Sequence, residues 1–130
     1  MNEYQKLIDA ALAARQQSYA PYSQFAVGAA LLGADGVIYT GCNVENASFG
    51  LTCCAERTAL YHAIAHGTHR FLAIAVVGAP VGDSADMPCI PCGMCRQALA
   101  EFCDDDFLIV YGNGEITTLG ELFPNAFRLE

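Results

Sequence analysis

Three cysteines lie at two places in the chain where their spacing suits a metal ion. Cys92 and Cys95 are three residues apart at the start of a predicted helix, so both sulfurs can reach one ion. Cys54 lies at the start of another predicted helix and supplies a third thiolate. Three protein ligands leave the fourth tetrahedral position to water, as in a catalytic zinc site. We therefore predict one Zn²⁺ per subunit, which lowers the pKa of its water to about 7.

Charged residues beside these cysteines indicate how such a site would work. Glu56 is two residues from Cys54 and is not needed as a ligand, so we predict that it carries the proton of the water. Three thiolates on a divalent ion leave a net negative charge, which an arginine hydrogen-bonded to sulfur would reduce. Arg57 lies three residues after Cys54 and Arg96 lies directly after Cys95, and we favour Arg57 for this role. The alternative for both arginines is an ordinary solvent-facing helix position.

Other uses of the cysteines stay open on the sequence alone. The segment Pro91–Cys95 also matches a redox dithiol before a helix, although that interpretation leaves the Cys54 segment unexplained. Cys89 forms a second Cys-x-x-Cys and could replace Cys95 as a ligand. Alternatively, Cys89 or Cys53 could supply a fourth sulfur and close a structural zinc site that mediates assembly.

Periodicity predicts the elements that must position these residues. Apolar residues at helical spacing predict helices, and short apolar runs beside turn signals predict strands. The predicted helices cover 2–18, Ala55–Ala65 and Cys95–Cys103, with a helical turn over Leu119–Phe123. The predicted strands are Phe25–Leu32, Val37–Val44, Phe71–Gly78, Phe107–Tyr111 and Glu115–Leu119. This alternation predicts an α/β fold with an antiparallel hairpin first and parallel crossovers after it, so the two cysteine clusters lie in strand-to-helix loops.

Length and composition limit the class of protein. The 130 residues suffice for a single domain spanning 1–130, and 54% apolar against 15% charged residues exclude a disordered chain. The net charge of −8 argues against nucleic-acid binding, because phosphate contacts need basic residues. Charged residues, Pro or Gly interrupt the apolar runs and Met1–Lys6 lacks a secretory signal, so we expect a soluble protein with no membrane span. A cytoplasmic location is therefore expected, where seven cysteines are more plausible as ligands or free thiols than as disulfides.

Four segments together resemble the cytidine deaminases of the short, homotetrameric type. They are Tyr19–Leu31, Gly41–Ser48, Cys54–Ala59 and Pro91–Gln97. The Cys-Ala-Glu and Pro-Cys-x-x-Cys patterns match the zinc deaminase signature, with cysteine where many relatives have histidine. The Asn-Val-Glu-Asn pattern within the second segment narrows the resemblance to deaminases of free nucleosides. The resemblance covers nearly the whole chain and implies a three-layer α-β-α sandwich around a mixed five-stranded sheet.

The resemblance implies hydrolytic deamination of cytidine and 2′-deoxycytidine in pyrimidine salvage. Cys54, Cys92 and Cys95 would bind zinc. Glu56 would protonate N3 of cytosine and then the departing amino group, so that uridine or 2′-deoxyuridine and ammonia result. Two alternatives remain within this chemistry. The acidic net charge disfavours a deaminase of a polynucleotide, and the predicted sugar-binding segment disfavours a deaminase of a nucleoside-like antibiotic.

The resemblance also implies which residues hold the nucleoside. Asn43 and Glu45 would hydrogen-bond the ribose hydroxyls, Phe25 would pack against the base, and Ala55 would contact the substrate. In a homotetramer, Phe127 would reach the pocket of a neighbouring subunit. The structural alternatives are a strand-end turn for Asn43 and Glu45, a hydrophobic anchor for Phe25, and a cap on its own domain for Phe127.

Overall fold

The computed structural model describes residues 3–129, which form five strands and four α-helices. The helices are α1 (Glu3–Arg15), α2 (Ala55–Ala65), α3 (Gly93–Phe102) and α4 (Leu119–Leu122). The strands are β1 (Phe25–Gly33), β2 (Ile38–Cys42), β3 (Phe71–Pro80), β4 (Leu108–Tyr111) and β5 (Ile116–Thr118). Within this range, no helix has both the length and the apolar character needed to cross a bilayer.

The strands form one mixed sheet in the order β2-β1-β3-β4-β5. β1 pairs antiparallel with both β2 and β3, β3 pairs parallel with β4, and β4 pairs antiparallel with β5. A parallel pair requires a crossover connection, and the segment containing α3 supplies it between β3 and β4. The prediction of a mixed five-stranded α/β sheet with an N-terminal hairpin is confirmed.

Several predicted boundaries differ from the structure: α3 begins at Gly93 instead of Cys95, and β2 covers Ile38–Cys42 instead of Val37–Val44. Two other differences have identifiable reasons. β3 continues two residues past the predicted end, because Phe25 at the start of β1 pairs with Pro80. α1 ends at Arg15 instead of residue 18, because the next three amides bond to carbonyls three residues back, as in a turn. Asn2, which the predicted first helix includes, lies outside the described residues.

Helices cover both faces of the sheet and create the predicted three layers. Successive residues of β3 point to opposite faces, so each face has its own apolar core. The core beneath α1 includes Leu7, Ile8, Ala11, Ala75, Val77 and Val110. The core beneath α2 and α3 includes Leu60, Ala63, Ile74, Val76, Leu99 and Ile109.

Two glycines allow the helices to approach the sheet closely. A Cβ on Gly28 would lie 2.6 Å from the backbone nitrogen of Arg15 in α1, and one on Gly41 would lie 2.6 Å from the carbonyl oxygen of Ala55 in α2. Side chains do not tolerate such distances, so only glycine permits these contacts. The Gly41 contact fixes the first turn of α2 against β2, and that turn carries Glu56.

Arg15 fastens the end of α1 to the sheet. Its buried guanidinium donates hydrogen bonds to four carbonyl oxygens, at 2.9 Å to Ala26, 3.0 Å to Ala79, 2.9 Å to Pro80 and 3.0 Å to Asp83. The planar fork of arginine can satisfy several acceptors at once. These bonds hold the start of β1 and the end of β3 together, next to the loop that leads to α3.

Candidate active site

The three predicted zinc ligands converge at the N-termini of α2 and α3. Cys54 and Cys92 are the extended residues immediately before the two helices, and neither thiol caps its helix. Cys95, in the first turn of α3, is buried. The Sγ of Cys92 lies 3.8 Å from that of Cys54 and 3.5 Å from that of Cys95. All three sulfurs lie within 4.8 Å of one another.

These spacings fit a zinc ion. Tetrahedral zinc holds thiolates at about 2.3 Å, which places the sulfurs about 3.8 Å apart. Among residues 3–129, these three form the only such group, so neither Cys53 nor Cys89 adds a fourth sulfur. Cys95 belongs to the group and Cys89 does not replace it. The donor set corresponds to a three-ligand catalytic site and not to a closed structural one.

Arg57 and Arg96 have different partners. The Nη2 of Arg57 donates a hydrogen bond to the Sγ of Cys54 at 3.4 Å. The buried Nε of Arg57 has no hydrogen-bond partner among residues 3–129. Arg96 donates instead to the carbonyl oxygens of Pro91 at 2.8 Å and Leu122 at 2.9 Å, and so fastens α3 to α4. Of the two arginines, Arg57 is therefore the one that contacts sulfur.

The sulfurs lie where negative charge is favoured. They lie at the N-termini of two helices, where the helix dipole favours negative charge. A hydrogen bond from the Cys95 thiol, followed by the contact with Arg57, lowers the pKa of Cys54 to about 5 against the opposing effect of burial. The thiolate is the form that binds zinc, so the local field prepares Cys54 as a ligand.

Glu56 is a buried acid beside the sulfur group, which comprises the thiols of Cys54, Cys92 and Cys95. It lies in the first turn of α2 and is 5% exposed. Burial raises its pKa above the usual carboxylate range, and the negative charge of Cys54 raises it further. A carboxyl group whose pKa moves toward neutrality can both accept and return a proton.

One cavity of about 220 Å³ connects two residues of the sulfur group, Cys54 and Cys92, with Glu56 and the predicted sugar-binding residues. Its lining is Val27, Asn43, Glu45, Thr52, Cys54, Ala55, Glu56, Cys89, Ile90 and Cys92. An adjoining hollow of about 420 Å³ shares Glu45 and Thr52 with it. A larger groove of about 780 Å³ lies at the start of β3 and β4, near His69 and Glu101. That groove contains none of the sulfur ligands, so chemistry and not volume identifies the active-site cavity.

Asn43 is held rigidly in the cavity wall. It is 9% exposed, its Oδ1 accepts from the backbone N–H of Val27 at 2.9 Å and from the hydroxyl of Ser18, and its Nδ2 donates to the carbonyl oxygen of Phe25 at 2.8 Å. An amide nitrogen has two hydrogens, so one remains for a ligand. The residue therefore has a structural role and can also donate to a bound hydroxyl.

The Glu45 carboxylate is oriented by the turn that precedes β1. Its Oε1 accepts from the backbone N–H groups of Tyr22 at 3.0 Å and Ser23 at 3.1 Å, and its Oε2 accepts from the Ser23 hydroxyl. The hydroxyl bond, followed by the backbone bonds, lowers the pKa of Glu45. Glu45 is therefore ionised at neutral pH and presents acceptors to the cavity.

The remaining predicted site residues lie at different places. Ala55 is buried in the cavity wall. Phe25 is 39% exposed, and its ring lies close to Gly78 without lining the cavity. Phe127 is 66% exposed and belongs to neither apolar core.

Sequence reasoning missed Ser18, Ser23, Val27 and Thr52. The two serines orient Asn43 and Glu45, and the other two residues line the cavity. Ser23 and Val27 lie inside a segment that resembles the deaminases. That pattern carries no sign of their contacts, which depend on how the chain folds.

A family model described as the cytidine and deoxycytidylate deaminase zinc-binding region matches residues 1–111. The matched range contains all three sulfur ligands and Glu56. The chain belongs to this deaminase family. The resemblance inferred from its motifs is confirmed, and the family's zinc-binding region together with the three-thiol group supports zinc as its cofactor.

Relatives match the chain of this deaminase over nearly its full length. A cytidine deaminase of Halalkalibacterium halodurans is 49% identical, over 97% of this chain and 95% of its own. A cytidine deaminase of Sporosarcina psychrophila is 46% identical, over 98% of this chain and 93% of its own. The crystal structure of cytidine deaminase from Burkholderia pseudomallei has 49% identity and a TM-score of 0.85, covering 98% of this chain and 100% of that one.

Proposed function

We propose that this protein hydrolyses cytidine and 2′-deoxycytidine to uridine and 2′-deoxyuridine with release of ammonia, in pyrimidine salvage. The observation that carries the proposal is a single cavity that combines the sulfur group, buried Glu56 and the Asn43/Glu45 pair. The relatives named as cytidine deaminases support this substrate. Residues 1–130 are proposed to act as one domain in the cytoplasm, where a reducing environment keeps the seven free cysteines as thiols.

Glu56 is assigned the proton transfers of the reaction. Cys54, Cys92 and Cys95 would hold the zinc ion, which when bound would act as a Lewis acid and make a water molecule nucleophilic at neutral pH. Glu56 takes the proton of the attacking water and delivers it to N3 of cytosine. The water oxygen forms the C4–O bond in this step. Glu56 then moves the second proton of that oxygen to the amino group at C4, so that the C4–N bond breaks, a carbonyl remains at C4 and ammonia leaves. The raised pKa of Glu56 suits a group that acts first as base and then as acid.

Asn43 and Glu45 are assigned the recognition of the sugar. The free N–H of Asn43 donates to a ribose hydroxyl, and the Glu45 carboxylate accepts from one. Free cytosine would leave these buried or fixed polar groups without partners, which costs binding energy. The proposal therefore predicts nucleosides as substrates and poor turnover of the free base.

Zinc content and cytidine turnover, measured on the same preparation by metal analysis and by ultraviolet absorbance, test this function. Glu56→Gln is expected to lower kcat by at least about 100-fold while zinc content stays at that of the wild type. The matched control is Glu101→Gln, which makes the same change at an exposed position of α3 outside the cavity. Turnover of Glu56→Gln at the wild-type rate would contradict the assigned role, and a four-sulfur zinc site in X-ray absorption would contradict the catalytic site.

A homotetramer in which Phe127 completes a neighbouring pocket is also part of the proposal. The C-terminal tail is fastened to its own subunit on both sides of this ring. Gln97 donates to the carbonyl oxygen of Phe127 at 2.9 Å, and Arg128 donates to those of Ala100 at 3.0 Å and Cys103 at 3.1 Å. The backbone is anchored while the aromatic side chain faces outward, which suits a residue that a second subunit covers.

Light scattering of the zinc-loaded protein tests the assembly, and mixed oligomers test the shared pocket. Co-expression of Glu56→Gln and Phe127→Ala chains is expected to restore part of the activity that each variant lacks alone. A subunit with intact Glu56 then receives Phe127 from its neighbour. Absence of any recovery in mixed oligomers, or a monomer by light scattering, would contradict this part of the proposal.

A further inference from the structure

Cys89 lies in the cavity wall although it does not belong to the sulfur group. A β-bridge joins the residue before it to β3 and brings Cys89 beside Gly78. A Cβ on Gly78 would lie 2.7 Å from the Sγ of Cys89 and 3.1 Å from side-chain carbons of both Phe25 and Val27. Three side chains therefore meet over one glycine, and the thiol fills the space that a side chain at position 78 would need.

The Cys89 thiol contributes shape to this wall and not reactivity. Burial, reinforced by the charge of Glu56, raises the pKa of Cys89 to about 11. A protonated thiol is a poor nucleophile and a poor metal ligand, and it packs as a small apolar group. Cys89 and Val27 together therefore give part of the cavity wall an apolar surface.

The shape of a cytosine nucleoside indicates which part of it needs this apolar surface. The C4 amino group and N3 must face the sulfur group and Glu56, and the sugar hydroxyls must face Asn43 and Glu45. The remaining ring edge, C5 and C6, carries only hydrogen and cannot form ordinary hydrogen bonds. Its burial is favourable against apolar side chains and unfavourable against unpaired polar ones. Within that edge, C5 is bonded to the reacting C4 and so lies closer to the sulfur group.

On the basis of the proposed function, we infer that Cys89 is a specificity-determining residue whose size limits the substituent accepted at C5 of the cytosine ring. Cys89 stands three residues before the ligand Cys92 and lines the same cavity, which places its thiol near the reacting end of the base. The ligand class affected is the C5-substituted cytosine nucleosides.

The ratio of kcat/KM for 5-methylcytidine to kcat/KM for cytidine tests this inference on zinc-loaded enzyme. Cys89→Ala removes the sulfur and is expected to raise the ratio about 10-fold, whereas Cys89→Ile adds bulk and is expected to lower it about 10-fold, the discrimination that one methyl-sized difference produces. Cys89→Ser keeps the size and should leave the ratio close to that of the wild type. Cys103→Ala, which removes a buried thiol outside the cavity, is the matched control.

Because both substrates are compared on one preparation, the ratio is independent of the active fraction of a weakened variant. If Cys89→Ala changes kcat/KM for both substrates by the same factor, or for neither, the ratio is unchanged. That result overturns the inference while leaving cytidine deamination intact. If Cys89→Ile fails to fold, the comparison of the alanine and serine variants decides. Absence of cytidine turnover by the zinc-loaded wild type overturns the proposed function, and this inference with it.

Discussion

Replacement of Arg57 by glutamine tests whether one side chain balances the charge of the three thiolates. A divalent ion with three thiolates has a net charge of −1, and the Arg57 guanidinium lies 3.4 Å from the Sγ of Cys54. The buried Nε of Arg57 has no hydrogen-bond partner in residues 3–129, whereas the Arg96 guanidinium is directed at carbonyl oxygens. Arg57→Gln therefore removes a positive charge next to the sulfur group, whereas the same replacement of Arg96 does not.

The expected magnitude follows from this hydrogen bond. A hydrogen bond to a charged group contributes about 1.5–3 kcal/mol, and each 1.4 kcal/mol corresponds to a factor of about 10 in a binding constant. Arg57→Gln should therefore weaken zinc binding by about 10- to 100-fold, the range found for outer partners of metal ligands. Arg57 is partly exposed, so screening by solvent places the expected effect near the lower end of that range.

Competition with a metallochromic chelator measures the zinc affinity of each variant. Arg96→Gln is the matched control, because it removes the same charge from an arginine that is also close in sequence to a zinc ligand, directly after Cys95. Its zinc affinity should stay near that of the wild type, although loss of the bonds to Pro91 and Leu122 lowers its melting temperature. Equal zinc affinities for the two variants would refute the reasoning.

Three further predictions concern the elements that support the site. Ser23→Ala should raise KM for cytidine by about 2- to 10-fold with little change in kcat, measured by steady-state kinetics, since it removes the hydroxyl that orients Glu45 and that accepts from the backbone N–H of Phe25. The depressed pKa of Glu45 means that its stabilising contribution is present above its ordinary pKa and disappears as the pH falls through the lowered value. Thermal unfolding between pH 7 and 3 should show this loss at higher pH in Ser23→Ala than in the wild type, and coincident profiles would contradict it. Gly28→Ala should lower the free energy of unfolding by at least about 1–3 kcal/mol, because its Cβ would overlap the carbonyl oxygen of Ala11, whereas a Cβ at Gly93 meets nothing within 4 Å. Equal melting temperatures for Gly28→Ala and Gly93→Ala would show that α1 can move aside without cost.

The features predicted correctly from the sequence are those set by short separations along the chain. Helical spacing alone places Cys92 near Cys95 and Cys54 near Glu56, because each pair lies within one turn of a helix start. The short apolar run of β3 indicates a strand buried on both faces, and both apolar cores confirm it. The zinc cofactor and the α/β sheet follow from such local patterns.

Contacts between distant segments were decided only by the tertiary structure. Ser18 orients Asn43 across 25 residues, and Ser23 orients Glu45 across 22, so neither pair shows in a local pattern. The choice between Arg57 and Arg96 as the partner of sulfur depends on which guanidinium faces the junction of α2 and α3.

The sequence by itself determined the chemistry available to this protein: three thiolates, a nearby acid and a polar pair, on elements of recognisable type. The tertiary structure decided which of the seven cysteines lie close enough together to bind one ion. It shows that Cys89, a candidate ligand on the sequence alone, lines the cavity instead. The physical reason is that helical and strand periodicities act over a few residues. The packing of helices on a sheet, with glycines that permit close approach, joins segments tens of residues apart.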